Sequence, residues 1–350
     1  MSWRAYRLLF RLETPLHVGW RRVGNCWQCR PYLPAYPLLC ALAARLTESG
    51  LRFGGSSSDP YHNTLGWLRE HVRFSYFFPA LPEKDGSPPR VTVFLPCYQK
   101  GGSLTFRKRV LGAGAPAEGQ DPQELPAAEF DYLFMDAQAR TALSYPERTA
   151  RAGALYHFEF LRPCSREHEG FGGPRPVFLT GYFFFDEEAE SRLLGDPAPG
   201  DERFGFLFDR LQVGGERRLG WGLLRFESEE RVGGGTRLFG EPGLEPVLEG
   251  GGPRLRVSSS GDPVLLAHGV CPEGAPVKVE GPVEVVLKRK TGFEGNRRVS
   301  GRRVEVLGEG ENRPLFLPGS RLSPAGSLTV DITPEGLWRF SAGGSGAPGS

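Results

Sequence analysis

V-G-G-E-R-R-L-G-W-G, running from Val213 to Gly222, is the stretch from which the fold is read. Its glycines are Gly214, Gly215, Gly220 and Gly222, set with Arg217, Arg218 and Trp221 between a helix-like run (Leu207, Arg210, Leu211, Gln212) and a strand-like run (Leu223, Leu224, Phe226). Glycine tolerates positive φ and lets a backbone approach a ligand closely, so this density implies an exposed loop whose amides can face an anion. Arg217 and Arg218 supply positive charge. The loop is not a G-x-x-x-x-G-K-[ST] phosphate loop, because no Lys-Ser or Lys-Thr follows and the order is helix to strand rather than strand to helix. A mononucleotide site is therefore disfavoured. What remains is a loop gripping a polyanion backbone, or a plain glycine-rich connection.

Working outward, the rest of the chain looks sheet-based and rich in turns. It has 350 residues, 39% of them hydrophobic, enough for one large or two ordinary domains. The 48 glycines and 31 prolines argue for short strands and insertions. Net charge is only +2 despite 43 basic residues, so a nucleic-acid surface has to be local rather than global. No apolar run is long enough for a membrane span and the start, M-S-W-R-A-Y-R, lacks a signal-peptide stretch, so a cytoplasmic protein with no membrane partner is expected. Six cysteines are scattered, with one C-x-x-C at Cys26 and Cys29; the second pair needed for a zinc site is missing, so neither metal nor other cofactor is expected.

Trp3 to Glu13 alternates as a half-buried strand. A basic, aromatic loop follows, with Arg21, Arg22, Trp27, Arg30 and Tyr32, held extended by Pro31, Pro34 and Pro37. Leu38, Leu39, Leu42 and Leu46 then recur at helical spacing up to Gly50. A short helix is expected near Thr64 to Glu70, then strands Arg73 to Phe78 and Val91 to Tyr98 around a wide loop, a surface insertion over 112–128, and a strand from Phe130 to Met135. Arg140, Arg148 and Arg151 surround a proline turn that flows into the strand His157 to Leu161. Phe178 to Phe185 is a further strand, and Glu202 to Gln212 a second helix delivering the chain to the glycine loop. The outline is β-α-β-β-α-β with insertions: an α+β, ferredoxin-like (RRM-like) domain over 1–230.

A linker is expected over 231–252, a smaller β-rich second domain over 253–341 and a flexible tail over 342–350. Strands are expected at Arg254 to Val257, Val264 to Val270, Val283 to Lys290, Arg302 to Leu307, Leu328 to Ile332 and Leu337 to Phe340. Lys288 to Arg303 holds seven basic residues, Lys288, Lys290, Arg297 and Arg298 among them, against the single acid Glu294. Such a run is either a solvated face or a phosphate-tracking hairpin.

Three segments together resemble the RAMP superfamily of CRISPR-associated proteins: L-E-T-P-L-H-V-G (Leu12 to Gly19) followed by R-P-Y-L-P-A-Y-P-L-L-C-A-L-A-A-R-L, then R-T-A-R-A-G-A-L-Y (Arg148 to Tyr156), and finally V-G-G-E-R-R-L-G-W-G. The agreement covers residues 4 to 229, with Ala35-Tyr36-Pro37 departing from the family's usual turn. Because a second domain follows the glycine loop, the chain is most similar to the handle-capping subunit, family five of the Cas nomenclature, in type III-like effector complexes of antiviral defence. That resemblance implies a ribonucleoprotein subunit that binds the 5′ handle of the guide (CRISPR) RNA, contacts the backbone RAMP and large subunits, and meets target nucleic acid indirectly. R-T-A-R-A-G-A-L-Y also resembles the backbone subunit, family seven, which lies along the guide and can cut target RNA through an aspartate; Asp59, Asp131 and Asp136 are available.

A guide-processing endoribonuclease would use a histidine as acid or base, and His17, beside Gly19, is the one candidate. No second histidine or catalytic tyrosine lies near it in sequence, and His62, His71, His157, His168 and His268 form no constellation. Binding without catalysis is the preferred reading. Phosphate contacts are assigned to Arg21, Arg22, Arg30, Arg148, Arg151, Arg217, Arg218, Lys288, Lys290, Arg297 and Arg298, with backbone approach at Gly214, Gly215 and Gly220. Stacking of bases is assigned to Trp27, Tyr32 and Trp221.

Overall fold

The computed structural model describes residues 2–55, 57–83, 90–112, 123–195, 203–233, 235–259, 262–272, 274–294, 297–307 and 314–340, with the side chains of 288–306 excepted. Phe178–Asp186, F-L-T-G-Y-F-F-F-D, is a central strand of a nine-stranded antiparallel sheet, and every residue in it is buried. A strand covered on both faces reads as a nearly continuous apolar run instead of alternating. Gly181 interrupts that run because the Phe77 ring fills its side-chain space; a Cβ there would lie 2.5 Å from the ring.

Trp3–Leu12 pairs with one edge of this strand, from Trp3 opposite Asp186 to Arg11 opposite Phe178, and Leu223–Arg231 pairs with the outer edge of Trp3–Leu12. On its other edge Phe178–Asp186 takes Val72–Phe74 and Phe78–Pro82, and the sheet continues through Val91–Tyr98, Leu104–Leu111 and Glu124–Pro126. Ala35–Glu48 and Pro60–His71 are the helices between the opening strand and Val72–Phe74. The first buries Leu38, Leu39, Leu42 and Leu46 and is followed by Gly50 at φ +84. Pro37 is tolerated there because the first-turn N–H groups have no intrahelical acceptor. The second opens on Asp59, whose carboxylate accepts the Tyr61 N–H at 2.9 Å, with Pro60 in its first turn.

Several expectations need correction. Phe130 to Met135 is not a strand: Ala127–Phe134 is a helix, and the strand is Met135–Arg140. Phe130, Leu133 and Phe134 share the helical spacing that buries them, with Phe130 stacked on Phe106 at 3.7 Å between centroids. The insertion expected over 112–128 gives way to the strand Glu124–Pro126 and this helix; 113–122 lie outside the described residues. The second helix is shorter, Arg203–Phe208, because Arg210 turns left-handed (φ +59) and Leu211–Gln212 becomes a strand; 202 is outside the described residues. Leu104–Leu111 was not anticipated. Of Val264 to Val270, only Gly269–Val270 is strand, with Val264 in an isolated bridge to Arg321.

Leu244–Val247, Arg254–Val257, Leu328–Ile332, Trp338–Phe340, Gly269–Val270, Leu315–Phe316 and Val283–Glu284 form a seven-stranded sheet, so the whole is an α+β chain of mostly antiparallel sheets with few helices. Much of 231–252, read as a linker, is packed. Phe239 is buried against Tyr182 and Phe78 (4.7 and 5.3 Å), its N–H donates to the Tyr182 hydroxyl at 2.7 Å, and Leu244–Val247 pairs with Arg254–Val257. A single apolar cluster runs from Trp3 to Phe340. The tail 342–350 lies outside the described residues. No helix among the described residues is long and apolar enough to cross a membrane.

A chain ended at Glu230 would uncover Phe78 and Tyr182 and take His268 away from Tyr76. We expect it to collect in the insoluble fraction on expression, the usual fate of exposed core surface. A soluble fragment with a cooperative thermal transition would contradict this.

Candidate nucleic-acid interface

The stems of the glycine loop are set by backbone pairing of Leu211 with Leu224 and Gln212 with Leu223. Inside them the amides of Val213, Gly215 and Gly222 donate to Gly222, His17 and Pro15 carbonyls at 2.9, 2.9 and 2.8 Å, and those of Leu219 and Gly220 to Glu216 and Arg217. Five of the loop's ten amides, those of Gly215 and Gly220 among them, are thus spent within the protein. The glycines serve close approach instead. Gly214, at φ +80, lies against the His17 carbonyl, where a Cβ would stand 2.5 Å from its oxygen, and a Cβ on Gly222, at φ +75, would overlap the Val213 carbonyl. The Gln212 side chain bridges the loop, donating to the Arg217 and Trp221 carbonyls at 2.8 and 3.1 Å. What the loop presents outward is Arg217, Arg218 and Leu219, all exposed; among the described residues neither arginine has a carboxylate partner.

Beside the loop stands a four-stranded sheet, in the order Gly19–Val23, Cys26–Cys29, Tyr156–Leu161, Met135–Arg140. The stretch read as an extended basic loop is therefore a hairpin, turned at Gly24 (φ +57). Register puts Arg22 beside Trp27 and Trp27 beside Phe158 on one face. Arg22 lies over the Trp27 ring at 5.4 Å, and Trp27 is 43% exposed. Arg21 lies over Trp20 at 4.3 Å and is held by Gln28.

Phe158 is the meeting point. His17 packs on it at 3.9 Å between centroids, and Trp221 meets it edge-on at 5.7 Å and Phe160 at 5.0 Å. Arg140 covers both Phe158 (5.1 Å) and Trp221 (4.7 Å), and its guanidinium is 2.8 Å from the Glu216 carboxylate in the glycine loop. Arg140, Phe158 and Glu216 were missed as site residues. The available hint was the placement of Arg140 at the edge of the R-T-A-L run, but its partner Glu216 lies 76 positions along the chain.

Three assigned contacts need revision. Trp221 is 9% exposed, walled in by Phe158, Phe160 and Arg140, so it anchors the loop and offers no open ring face to a base. Arg30 and Tyr32 are 7% and 4% exposed; Arg30 donates to the Tyr32 hydroxyl (3.0 Å) and to the Glu284 carboxylate (2.5 Å), which leaves it no role at a surface phosphate. Arg148, at φ +53, and Arg151 sit exposed on the excursion joining Met135–Arg140 to Tyr156–Leu161, with no ion-pair partner among the described residues. Lys288, Lys290, Arg297 and Arg298 lie on a two-stranded ribbon, Leu287–Glu294 against Arg297–Val306; their side chains are outside the described set.

Of the candidate acids and bases, His17, Asp59 and Asp136 are engaged, while Asp131 is exposed on the helix Ala127–Phe134. His17 is buried, and its Nδ1–H donates to the Glu159 carbonyl at 2.6 Å. Asp59 caps a helix, and Asp136 pairs with Arg162 and Arg166. The Cys26 thiol donates to Glu159 and the Cys29 thiol to the Leu16 carbonyl; burial pushes them up to about 11 and about 12.

Burial also lowers the His17 pKa, opposed by the Glu159 hydrogen bond and the Glu216 charge, and lowers that of His268. A histidine kept neutral in the fold takes up its proton less readily than it does in the unfolded chain, so stability falls as pH drops through the unfolded value near ~6.5. Thermal midpoints should therefore decline from about pH 7 to about pH 5. His17→Gln keeps a donor for Glu159 but cannot titrate, and should flatten that decline; an unchanged pH profile would show that His17 does not contribute.

No protein-family model matches the chain, and no curated protein matches it. Among solved structures, it is similar to a chain of the Type III-B Cmr-beta complex bound to cognate target RNA, at 11% identity and TM-score 0.36, covering 64% of this chain and 96% of that one. A chain of the same complex with cognate target RNA and AMPPnP gives 12% identity and TM-score 0.43 over 90% and 85%, and one of its apo state 10% and 0.37 over 65% and 97%.

Proposed function

We propose that this chain is a non-catalytic RNA-binding subunit of a CRISPR effector complex, holding the 5′ handle of the guide RNA beside the backbone and large subunits. The observation that carries the reading is that the segments resembling the RAMP superfamily, far apart in sequence, converge on Phe158: His17 from the first, the strand leaving Tyr156 from the second, Trp221 and, through Arg140, Glu216 from the third, with the hairpin that follows Gly19 packed beside them. Around that junction Arg21, Arg22, Arg148, Arg151, Arg217 and Arg218 are exposed, with Trp27 as the ring open to stacking. Guanidinium groups on phosphates together with an open aromatic face are what a single RNA strand requires.

The antiparallel order Leu223–Arg231, Trp3–Leu12, Phe178–Asp186, Val72–Phe74, with helices between the first and second and between the third and last strands in sequence, supports a ferredoxin-like core within 1–230. A β-rich part over 253–341 completes this proposal. It shares the apolar cluster with the first part, so the division is one of architecture.

The test is binding of the purified chain to labelled RNA carrying the host's CRISPR repeat sequence, titrated at several salt concentrations, beside an unrelated RNA of equal length. Tighter binding of the repeat-bearing RNA, weakening steeply with salt, is expected. Equal, salt-insensitive affinities would reject it.

A further inference from the structure

Glu216 holds a backbone conformation that its own side chain makes costly. At φ +55 and ψ +25 it is left-handed, in a loop whose other left-handed positions, 214, 220 and 222, are all glycine. Glycine adopts that conformation freely; a residue with a Cβ is strained there and persists where its surroundings hold it. What holds Glu216 is Arg140, the last residue of the strand Met135–Arg140, opposite Tyr156. Its Nη1 donates to the Glu216 carboxylate at 2.8 Å and its Nη2 to Gln138 at 3.3 Å, while its guanidinium carbon lies over Trp221 at 4.7 Å and Phe158 at 5.1 Å. The Arg140 side chain is only 16% exposed. A planar guanidinium stacked on two rings has little freedom, so the carboxylate it grips is fixed in direction as well as in distance.

Glu216 is also where the turn carrying the loop's exposed cations begins. Its carbonyl accepts the Leu219 N–H at 2.8 Å, which opens the 3-10 turn Arg217–Leu219, and on the far side Gln212 Nε2 donates to the Arg217 carbonyl at 2.8 Å. With the carboxylate drawn in to Arg140, the next two side chains, Arg217 and Arg218, stand exposed. By charge alone, an acid at this position works against a polyanion. Strain and charge therefore both speak against glutamate here, and the contact with Arg140 is what speaks for it.

Building on the RNA-binding reading, we propose that Glu216 is a positioning residue for RNA: pinned by Arg140, it fixes the turn Arg217–Leu219 so that both arginines are oriented before a phosphate arrives. A loop ordered in advance spares the complex the entropy of ordering it on binding.

The experiment uses the full chain and a fluorescein-labelled oligouridine. Glu216→Gly suits the left-handed backbone and deletes the carboxylate; Glu216→Gln keeps the volume and deletes only the charge. If the acid merely repels RNA, both variants bind more tightly. The positioning role has the opposite sign: Glu216→Gly should weaken binding about tenfold, and Glu216→Gln should weaken it less. A cycle adds a second readout. Arg217→Ala with Arg218→Ala should cost about threefold or less in the Glu216→Gly background, because the arginines there are already misplaced. In the chain labelled with fluorotryptophan, the Trp221 resonance, assigned by its loss in Trp221→Phe, should shift or broaden in both Glu216 variants as the guanidinium over that ring is released. Tighter or unchanged binding by Glu216→Gly, or losses that simply multiply, would overturn the role. Absence of oligouridine binding by the unaltered chain would instead sink the RNA reading, and a Trp221 resonance unmoved by either variant would still show that Glu216 does not hold the loop.

Discussion

Changing Arg217 and Arg218 together to alanine should weaken single-stranded RNA binding by about ten- to a hundredfold, a loss of about 1.4–2.8 kcal/mol for the pair of exposed contacts. The two guanidinium groups are exposed and lack carboxylate partners among the described residues, so their removal disturbs no internal ion pair. Each phosphate contact on a single strand adds about 0.7 to the slope of log affinity against log salt, so the slope should shrink by about 1.4. The loss should be the same for every RNA sequence, because these groups do not read bases. Titrations at three or more salt concentrations measure both quantities. An unaltered slope with a folded protein would remove the loop from the interface.

Gly222→Ala should be the most damaging small substitution in the glycine loop. Gly222 sits at φ +75 with the Val213 carbonyl where a Cβ would go, and its own N–H donates to Pro15. The left-handed backbone costs an alanine about 1–2 kcal/mol and overpacking about 1–3 more, so a loss of roughly 2–5 kcal/mol is expected. Gly220 is the control. Its φ is +81, but nothing lies within 4 Å of a Cβ there, so Gly220→Ala should show the backbone cost alone. Denaturant midpoints for the two variants separate the terms, and equal losses would show that the Val213 contact yields without cost.

The elements that could be read from the sequence are those in which one periodicity dominates. The opening strand alternates, the leucines after Pro37 recur at helical spacing, and F-L-T-G-Y-F-F-F-D is apolar throughout because both its faces are covered. Ala127–Phe134 was misread since a short apolar run fits a strand or a helix, and only the rings of Phe94 and Phe106 decide between them. The arginines were legible as charge, but not as buried or exposed. Arg30 and Arg22 look alike in the same basic stretch, and Glu284, more than 250 residues downstream, is what takes Arg30 inside. Tryptophans pose the same difficulty: Trp27 and Trp221 both neighbour arginine-rich segments, and only the second is enclosed, by Arg140 and two phenylalanines. The glycines at 214 and 215 lie against His17, a contact across the fold that their density in the sequence does not reveal.

Both sheet partners of Trp3–Leu12 come from far downstream, Phe178–Asp186 and Leu223–Arg231. During translation, at about 5–20 residues per second, the first strand therefore emerges roughly ten to forty seconds before the last residue of its nearer partner is made. Leu8, Leu9, Phe10 and Leu12 remain without cover for that interval, and the ribosome has finished Arg231 before the strand has both neighbours. Yield in the cell is thus tied to whatever shields a nascent apolar segment, and slowed synthesis should lower recovery of this protein more than that of one built from local hairpins.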